Sequence, residues 1–280
     1  MTEEKYHIAY TLPEVTLLQD SGLGVAEIAA RTCYDSFANS ENACIRNAPE
    51  TLDTDAINAI DTSELLSQLA WVHHHHSIIE HAVLSYLVKG TSRGVLQEHA
   101  RHRIQAISVR STRYTMSSLI NAFVAALEAN DARGFFIDTV DALDMLVVAD
   151  KAYRAVEIGG MFDKLRFQYD AMGREAFIET AVAKSSLPLL EAHKGDAHAL
   201  YEALECGKKK RNVGDAFKHI VTDNWKVDMV VTFNIRSLKN YFDLRDSGAA
   251  WFQIRWLARE MKRVTPEKYL RLIDKAYKSC

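Results

Sequence analysis

Four arginines, Arg101, Arg103, Arg110 and Arg113, fall within RHRIQAISVRSTRY at 101–114, with His102 between the first two. No acidic residue occurs between 99 and 127, so the cluster has no counter-ion nearby in sequence. Crowded guanidiniums repel unless anions or water separate them, and their planar fork suits phosphate or carboxylate oxygens. The chemistry on offer is anion recognition. On a helix from Ser92, residues Arg93, Gln97 and Arg101 recur at i, i+4 and i+8 on one face, with Arg103 roughly 200° from Arg101. One helix end then addresses two anionic groups. Farther on, residues 107–114 carry the β-branched and small side chains of an extended segment. Alternation there sets Val109, Ser111 and Arg113 on one side and Arg110, Thr112 and Tyr114 on the other. A Ser111 hydroxyl beside an Arg113 guanidinium forms a phosphate grip.

A second constellation comprises Asn234, Arg236, Ser237, Asn240 and Arg245. On a helix Arg236 and Asn240 are i, i+4 neighbours, and Asn234, Leu238, Tyr241 and Arg245 form an adjacent stripe. Asn and Arg mixed with Phe and Tyr mark a half-buried site rather than a solvated face. HHHHSIIEH at 73–81 invites a metal, but the H-E-x-x-H order is missing, and helix-to-strand geometry there would splay the side chains. Most of these histidines read as corner hydrogen-bonders, with one or two left for a ligand. GLGVAE at 22–27 begins like a dinucleotide fingerprint, yet Glu27 stands at the third glycine position and no strand is evident before it. KKKR at 208–211 reads as a solvated loop or helix start.

The elements that must position these residues follow from periodicity. Residues 6–10 read as a strand, 24–35 as a helix, 36–55 as a loop, 63–76 as a helix, 81–88 as a strand ending at Gly90, and 92–103 as a helix. Helical patterns then recur at 119–130, 138–158, 161–182, 197–206, 234–245 and 251–263. No internal repeat or low-complexity linker interrupts the chain. The expectation is therefore a helix-rich α+β fold with a mostly antiparallel sheet, in one domain spanning 1–280.

The 280 residues are 48% hydrophobic and 25% charged, enough for a substantial core. A formal net charge of -3 excludes the global cationic field of a nonspecific nucleic-acid binder, so the arginine cluster must act locally. No apolar run approaches the roughly 18–20 residues of a membrane span, and MTEEKYHIAY lacks a signal-peptide apolar core. A cytoplasmic protein without a membrane partner is expected. Cys33, Cys44, Cys206 and Cys280 are scattered, without the spacing of a zinc site or a disulfide framework.

In combination these segments resemble the flavin-dependent thymidylate synthases. That family carries Arg-His-Arg, seven residues, then Ser, matched by Arg101, His102, Arg103 and Ser111, with Arg113 and Tyr114 following. Its His-x-[ST]-x-x-Glu-His corner is matched by His75, Ser77, Glu80 and His81. Its Asn-x-Arg-Ser-Leu-x-[HN]-x-x-x-Leu-Arg helix is matched by Asn234, Arg236, Ser237, Leu238, Asn240, Leu244 and Arg245. AARTCYDS at 29–36 resembles the family's N-terminal helix. Residues 118–205 contain a helical expansion without an evident family counterpart.

The resemblance implies reductive methylation of dUMP to dTMP, with FAD as the bound cofactor, methylenetetrahydrofolate as the carbon donor and NADPH as the reductant. It implies that Ser77, Arg101, His102, Arg103, Asn234, Arg236 and Asn240 bind FAD. Glu98, Arg101, Arg110, Ser111, Thr112, Arg113, Lys218 and Arg245 would hold dUMP, part of the set coming from a neighbouring subunit of a homotetramer. Arg245 is the expected principal catalytic residue, with Ser111 orienting the nucleotide, and no metal is called for. The chain departs from the usual pattern at five positions. Ala106, Ser108 and Val109 replace Ser, Asn and Glu of Ser-x-Asn-Glu-x-Ser, and Glu98 stands for the Gln three residues before Arg101. Lys218 stands for the Arg sixteen residues before Asn234, keeping charge but losing the fork. Three other readings are a flavoprotein acting on a different pyrimidine nucleotide, a non-catalytic homologue, and a nucleic-acid binder using 101–113.

Overall fold

The computed structural model describes residues 13–129, 194–218 and 226–278. The strand expected at 6–10 and the helices expected at 138–158 and 161–182 lie outside the described residues. The fold is helix-rich with a four-stranded antiparallel sheet of order β1-β2-β4-β3. Its strands are β1 (Glu14–Asp20), β2 (Val83–Ser92), β3 (Ala106–Val109) and β4 (Lys226–Asn234). Chain contacts divide the molecule into two compact units. Among described residues, one holds 13–89, 97–108 and 228–278, and the other holds 90–96, 109–129, 194–218 and 226–227.

In the first unit, β2 is the apolar centre, with Leu84, Tyr86 and Val88 fully buried. β4 alternates strictly, burying Val227, Met229, Val231 and Phe233 while the residues between stay half-exposed. That period of two is the signature of a strand with one face on the core. β1 pairs with β2 through a register shift between Leu17 and Gln19, which leaves Leu18 at the surface. The helix Phe252–Val264 packs against β1 and buries Ile254, Leu257, Ala258 and Met261, spaced i, i+3, i+4 and i+7. The Tyr86 hydroxyl meets the Thr265 hydroxyl at 2.8 Å in this core.

The glycines of GLGVAE serve packing. A strand does precede them, contrary to the sequence reading, since β1 ends at Asp20 and the helix Gly24–Tyr34 follows. A Cβ on Gly22 would lie 2.2 Å from the Asn58 carbonyl oxygen, and one on Gly24 would lie 2.1 Å from that of Ile57. Both glycines therefore admit a neighbouring turn of this chain instead of a pyrophosphate. Glu27 is fully buried and occupied: its carboxylate takes hydrogen bonds from Ser40 (2.5 Å), Asn42 (2.9 Å) and Arg31 (3.4 Å).

Other boundaries shift for local reasons. The stretch 36–55 is not all loop: it holds a 3-10 turn at Phe37–Asn39, a helical turn at Ala43–Arg46 and the start of the helix Thr54–Asn58. The helix expected at 63–76 spans Glu64–Trp71, with the Ser63 hydroxyl accepting from the Leu66 N–H at 3.3 Å as its cap. The second unit contains the helices Thr112–Glu128, Lys194–Glu205 and Lys210–Phe217, which pack on one another. KKKR opens the last of these, as a helix start. No helix among the described residues is long and apolar enough to cross a membrane.

Candidate active site

The first unit brings three of the sequence motifs together around the helix Ile235–Arg245. Asn234 caps it, its side-chain oxygen accepting from the Ser237 N–H at 2.8 Å. Leu238, Tyr241 and Phe242 anchor one face in the core, and Arg245 is the last helical residue. The histidine corner abuts the start of this helix. The Ile235 N–H donates to the Ala82 carbonyl at 3.0 Å, and Arg236 pairs with Glu80. Ser77 and Asn240 are exposed.

The helix expected over 92–103 is shorter, Arg93–His99. The Gln105 side-chain amide donates to the His99 carbonyl at 2.7 Å, which satisfies a helix-end acceptor and draws the chain away. Arg101 and Arg103 therefore do not continue the Arg93 face, and both side chains are exposed off the helix. Past the turn, His102 folds inward and packs edge-on against Tyr241, ring centroids 4.8 Å apart. His99 also packs edge-on against Tyr241, at 5.1 Å, and its Nδ1 lies 3.1 Å from the Tyr241 hydroxyl.

These imidazoles are held neutral. Burial, reinforced by the neighbouring His102, pushes His99 down to about 3. Burial, reinforced by the Arg245 guanidinium, pushes His102 down to about 4. Burial drives the Tyr241 phenol well above its ordinary range.

Arg245 closes the cluster. Its Nε–H donates to His102 Nε2 at 2.9 Å, so the neutral ring carries its proton on Nδ1. Its Nη1 donates to Glu98 Oε2 at 2.7 Å and its Nη2 to the Glu98 carbonyl at 3.4 Å. The Arg245 side chain remains 20% exposed and that of Glu98 37%. A guanidinium fixed on two sides and open on the rest is a preorganised donor for charge developing on a ligand.

The second unit carries the other expected site residues, and here the extended reading of 107–114 is corrected. β3 stops at Val109 and a helix begins at Thr112, with the Ser111 carbonyl accepting from the Thr115 N–H at 3.1 Å. Ser111 and Arg113 thus do not share a strand face. Arg113 bonds Asp215 at 3.2 Å, and Lys218 bonds the other oxygen of that carboxylate at 3.0 Å. The Lys218 hydrogen bond, then Arg113, holds Asp215 below the usual carboxylate range. Thr112 is buried, and Arg110 is half-exposed.

Sequence reasoning set Tyr241 on the Arg245 stripe but missed His99 and Asp215 and the pairing of Glu98 with Arg245. Val95 and His99 are both fully buried at i, i+4, an apolar-face spacing that could have drawn His99 inward. Glu98 is the last carboxylate before the acid-free stretch, the nearest sequence signal for an arginine partner. The four histidines build no metal site: no group of His, Cys, Asp and Glu among the described residues could hold a metal ion. His76 Nε2 meets the Ala70 carbonyl at 3.0 Å and His75 Nδ1 the Tyr34 hydroxyl at 3.3 Å, as corner hydrogen-bonders do.

Residues 16–269 match the model of the family described as thymidylate synthase complementing protein. The chain belongs to that family. The match runs through all the motifs above. Among its relatives, a flavin-dependent thymidylate synthase of Wolinella succinogenes is 25% identical over 255 residues, covering 91% of this chain and 94% of the relative. One from Helicobacter pylori is 26% identical over 268 residues, covering 95% and 99%. The fold is shared with the crystal structure of thymidylate synthase X from Helicobacter pylori with FAD and dUMP. That likeness has a TM-score of 0.58 at 24% identity and covers 95% of this chain and 100% of that one.

Proposed function

We propose that this protein is a flavin-dependent thymidylate synthase: it binds FAD and dUMP and methylates dUMP reductively to dTMP, with methylenetetrahydrofolate as carbon donor and NADPH as reductant. The observation that carries the reading is Arg245, the final residue of the family's Asn-Arg-Ser helix, oriented by Glu98 and a neutral His102. Set against a uracil edge, that guanidinium favours negative charge developing on N3 and O4, which polarises the ring for bond formation at C5. Ser111 orients the nucleotide, and Thr112, Arg113, Lys218 and Arg110 hold it.

The donor set suits FAD. Arg101 and Arg103 have exposed side chains that pair with no carboxylate among the described residues, the chemistry a pyrophosphate requires. Exposed Asn240 and Ser77 add neutral donors, while Arg236 reaches the cofactor only by sharing its pair with Glu80. Asn234 and His102 support it by position, one as helix cap and one behind Arg245. FAD, when bound, supplies the redox capacity to deliver hydride at C6 of the pyrimidine. We read the protein as a cytoplasmic homotetramer whose nucleotide sites draw residues from adjoining subunits, with 1–280 as one family domain.

An anaerobic absorbance titration tests this function. The purified protein should show flavin bands that bleach with NADPH and return only when dUMP and methylenetetrahydrofolate are both added. Absence of flavin bands after incubation with FAD would overturn it. Bleached bands that return with dCMP but not with dUMP would point instead to a different pyrimidine nucleotide.

A further inference from the structure

The turn that carries Arg101, His102 and Arg103 is closed by a residue outside the motif. From the backbone, the Arg101 N–H donates to the Glu98 carbonyl at 3.2 Å and the His102 N–H to the His99 carbonyl at 3.1 Å. Gln105 closes it from the far side. Its side-chain amide donates to that same His99 carbonyl at 2.7 Å, so both lone pairs of one oxygen are used. Residues 99–105 are thereby folded back on His99 before β3 starts at Ala106. The other end of the amide has a counterpart as well: Gln105 Oε1 and His99 Nε2 are both buried, and neither has a hydrogen-bond partner among the described residues. Their chemistry is complementary. The Tyr241 hydroxyl lies 3.1 Å from His99 Nδ1, and burial keeps that phenol protonated, so it donates to Nδ1 and the ring proton sits on Nε2. An amide oxygen is the acceptor this N–H needs. Burial pushes His99 down to about 3, and the Gln105 side chain acts against it, as an oxygen turned to the ring does.

We infer that Gln105 is a positioning residue: its amide clamps the 99–105 turn on His99 from two sides, N–H to the carbonyl and oxygen to the ring N–H, and so sets His102 behind Arg245. The catalytic consequence rests on the proposal that Arg245 acts on dUMP. Once the turn is freed, His102 withdraws from the Arg245 Nε–H that it meets at 2.9 Å, and the guanidinium loses one of its two fixed sides. The titratable groups around His102 are His99 and Glu98 on the helix Arg93–His99 and Tyr241 and Arg245 on the helix Ile235–Arg245. Burial, then Arg245, holds His102 at about 4. Exposure to water raises it toward its ordinary 6.5, and the cation formed there repels the guanidinium.

The test compares wild-type protein, Gln105→Ala and Gln105→Met, all full-length and FAD-loaded, with matched thermal melts. Methionine has nearly the length of glutamine and neither of its hydrogen bonds, so it separates lost bonding from lost packing. Hydrogen exchange followed by mass spectrometry reads the turn directly. The Arg101 and His102 amides should be protected in wild-type protein and exchange about tenfold faster in both variants, the size of one lost hydrogen bond, with Val83–Ser92 unchanged. In the steady state kcat for dTMP should fall about tenfold in both variants, with KM for dUMP within about threefold. Their kcat should also gain an acid limb near the ordinary histidine value of about 6.5, which a loss of folded enzyme would not produce. Wild-type Arg101 and His102 amides that exchange as freely as an unstructured chain overturn the inference even if neither variant holds flavin. Wild-type exchange or kinetics in Gln105→Met overturns it too, since the side chain then only fills space, and so does a fall in kcat without the acid limb. Absence of dTMP formation by FAD-loaded wild-type protein overturns the functional proposal, and the exchange comparison still decides whether Gln105 clamps the turn.

Discussion

Two carboxylate-paired cation clusters, one in each unit, are built to different standards. Arg245 is 20% exposed, bonded to Glu98 and to a buried imidazole, and backed by Tyr241, Phe233 and His99 in aromatic contact. Arg113 and Lys218 share Asp215 at 36%, 42% and 44% exposure, on a helical surface. The first arrangement fixes a guanidinium before any ligand arrives, and a preorganised group avoids reorganisation when charge develops on the substrate. The second is a pair of surface ion contacts, screened by water and held loosely enough for a nucleotide phosphate to displace. On the proposed function, chemistry falls to the rigid cluster and anion capture to the loose one.

The largest effect that could break this contrast is catalytic. Arg245→Ala should lower kcat for dTMP formation by about 10²–10³-fold, the range found when one preorganised donor is removed from a charge-stabilising site. Flavin content should be retained, and an unaffected kcat would dissolve the distinction between the clusters. Next in size, Tyr241→Phe strips the hydroxyl facing His99 Nδ1 inside the core. Leaving a buried polar group unsatisfied costs about 1–3 kcal/mol, which a denaturant titration at pH 7 would register.

Acid should weaken the rigid cluster first. His99 and His102 titrate at about 3 and about 4 in the fold against an ordinary 6.5, so between those limits the unfolded chain binds more protons. Stability from these groups therefore rises with pH through that window and is lost as pH falls from 6.5 toward 4. Melts at intervals from pH 7 to 4 would trace this loss, and His102→Gln should flatten part of the slope; a wild-type profile that stays level would contradict it. The smallest change expected is for Asp215→Asn, whose denaturation midpoint should stay close to that of the wild type because exposed ion pairs are screened by water. A large loss there would show that the surface cluster is as deeply built in as its counterpart.

Much of the rigid site was legible because its elements are local. The pattern from Asn234 to Arg245 reads as a helix ending at Arg245, and the structure has the helix Ile235–Arg245, with Asn234 just outside it as its cap. What failed depended on contacts that periodicity does not carry. The extension of the 92–103 helix pattern to Arg103 could not foresee Gln105 reaching back to the His99 carbonyl. The β-branched character of 107–114 suggested strand throughout, whereas β3 ends at Val109 and the following residues start a helix. β4 was overlooked despite an alternation plain in KVDMVVTFN. The edge strand β1 shows less pattern, with Val15 its one buried residue. Pairing of Glu98 with Arg245, 147 residues apart, is a tertiary event with no local signature.

The most direct measurement is release of tritium from dUMP labelled at C5, because a methyl group can be installed there only if that hydrogen leaves. With FAD, NADPH and methylenetetrahydrofolate, wild-type protein should release tritium to water in step with dTMP formed, and Arg245→Ala should release almost none. Wild-type protein that holds flavin and is reduced by NADPH yet releases no tritium would contradict the account, as would an Arg245→Ala variant that releases it at the wild-type rate.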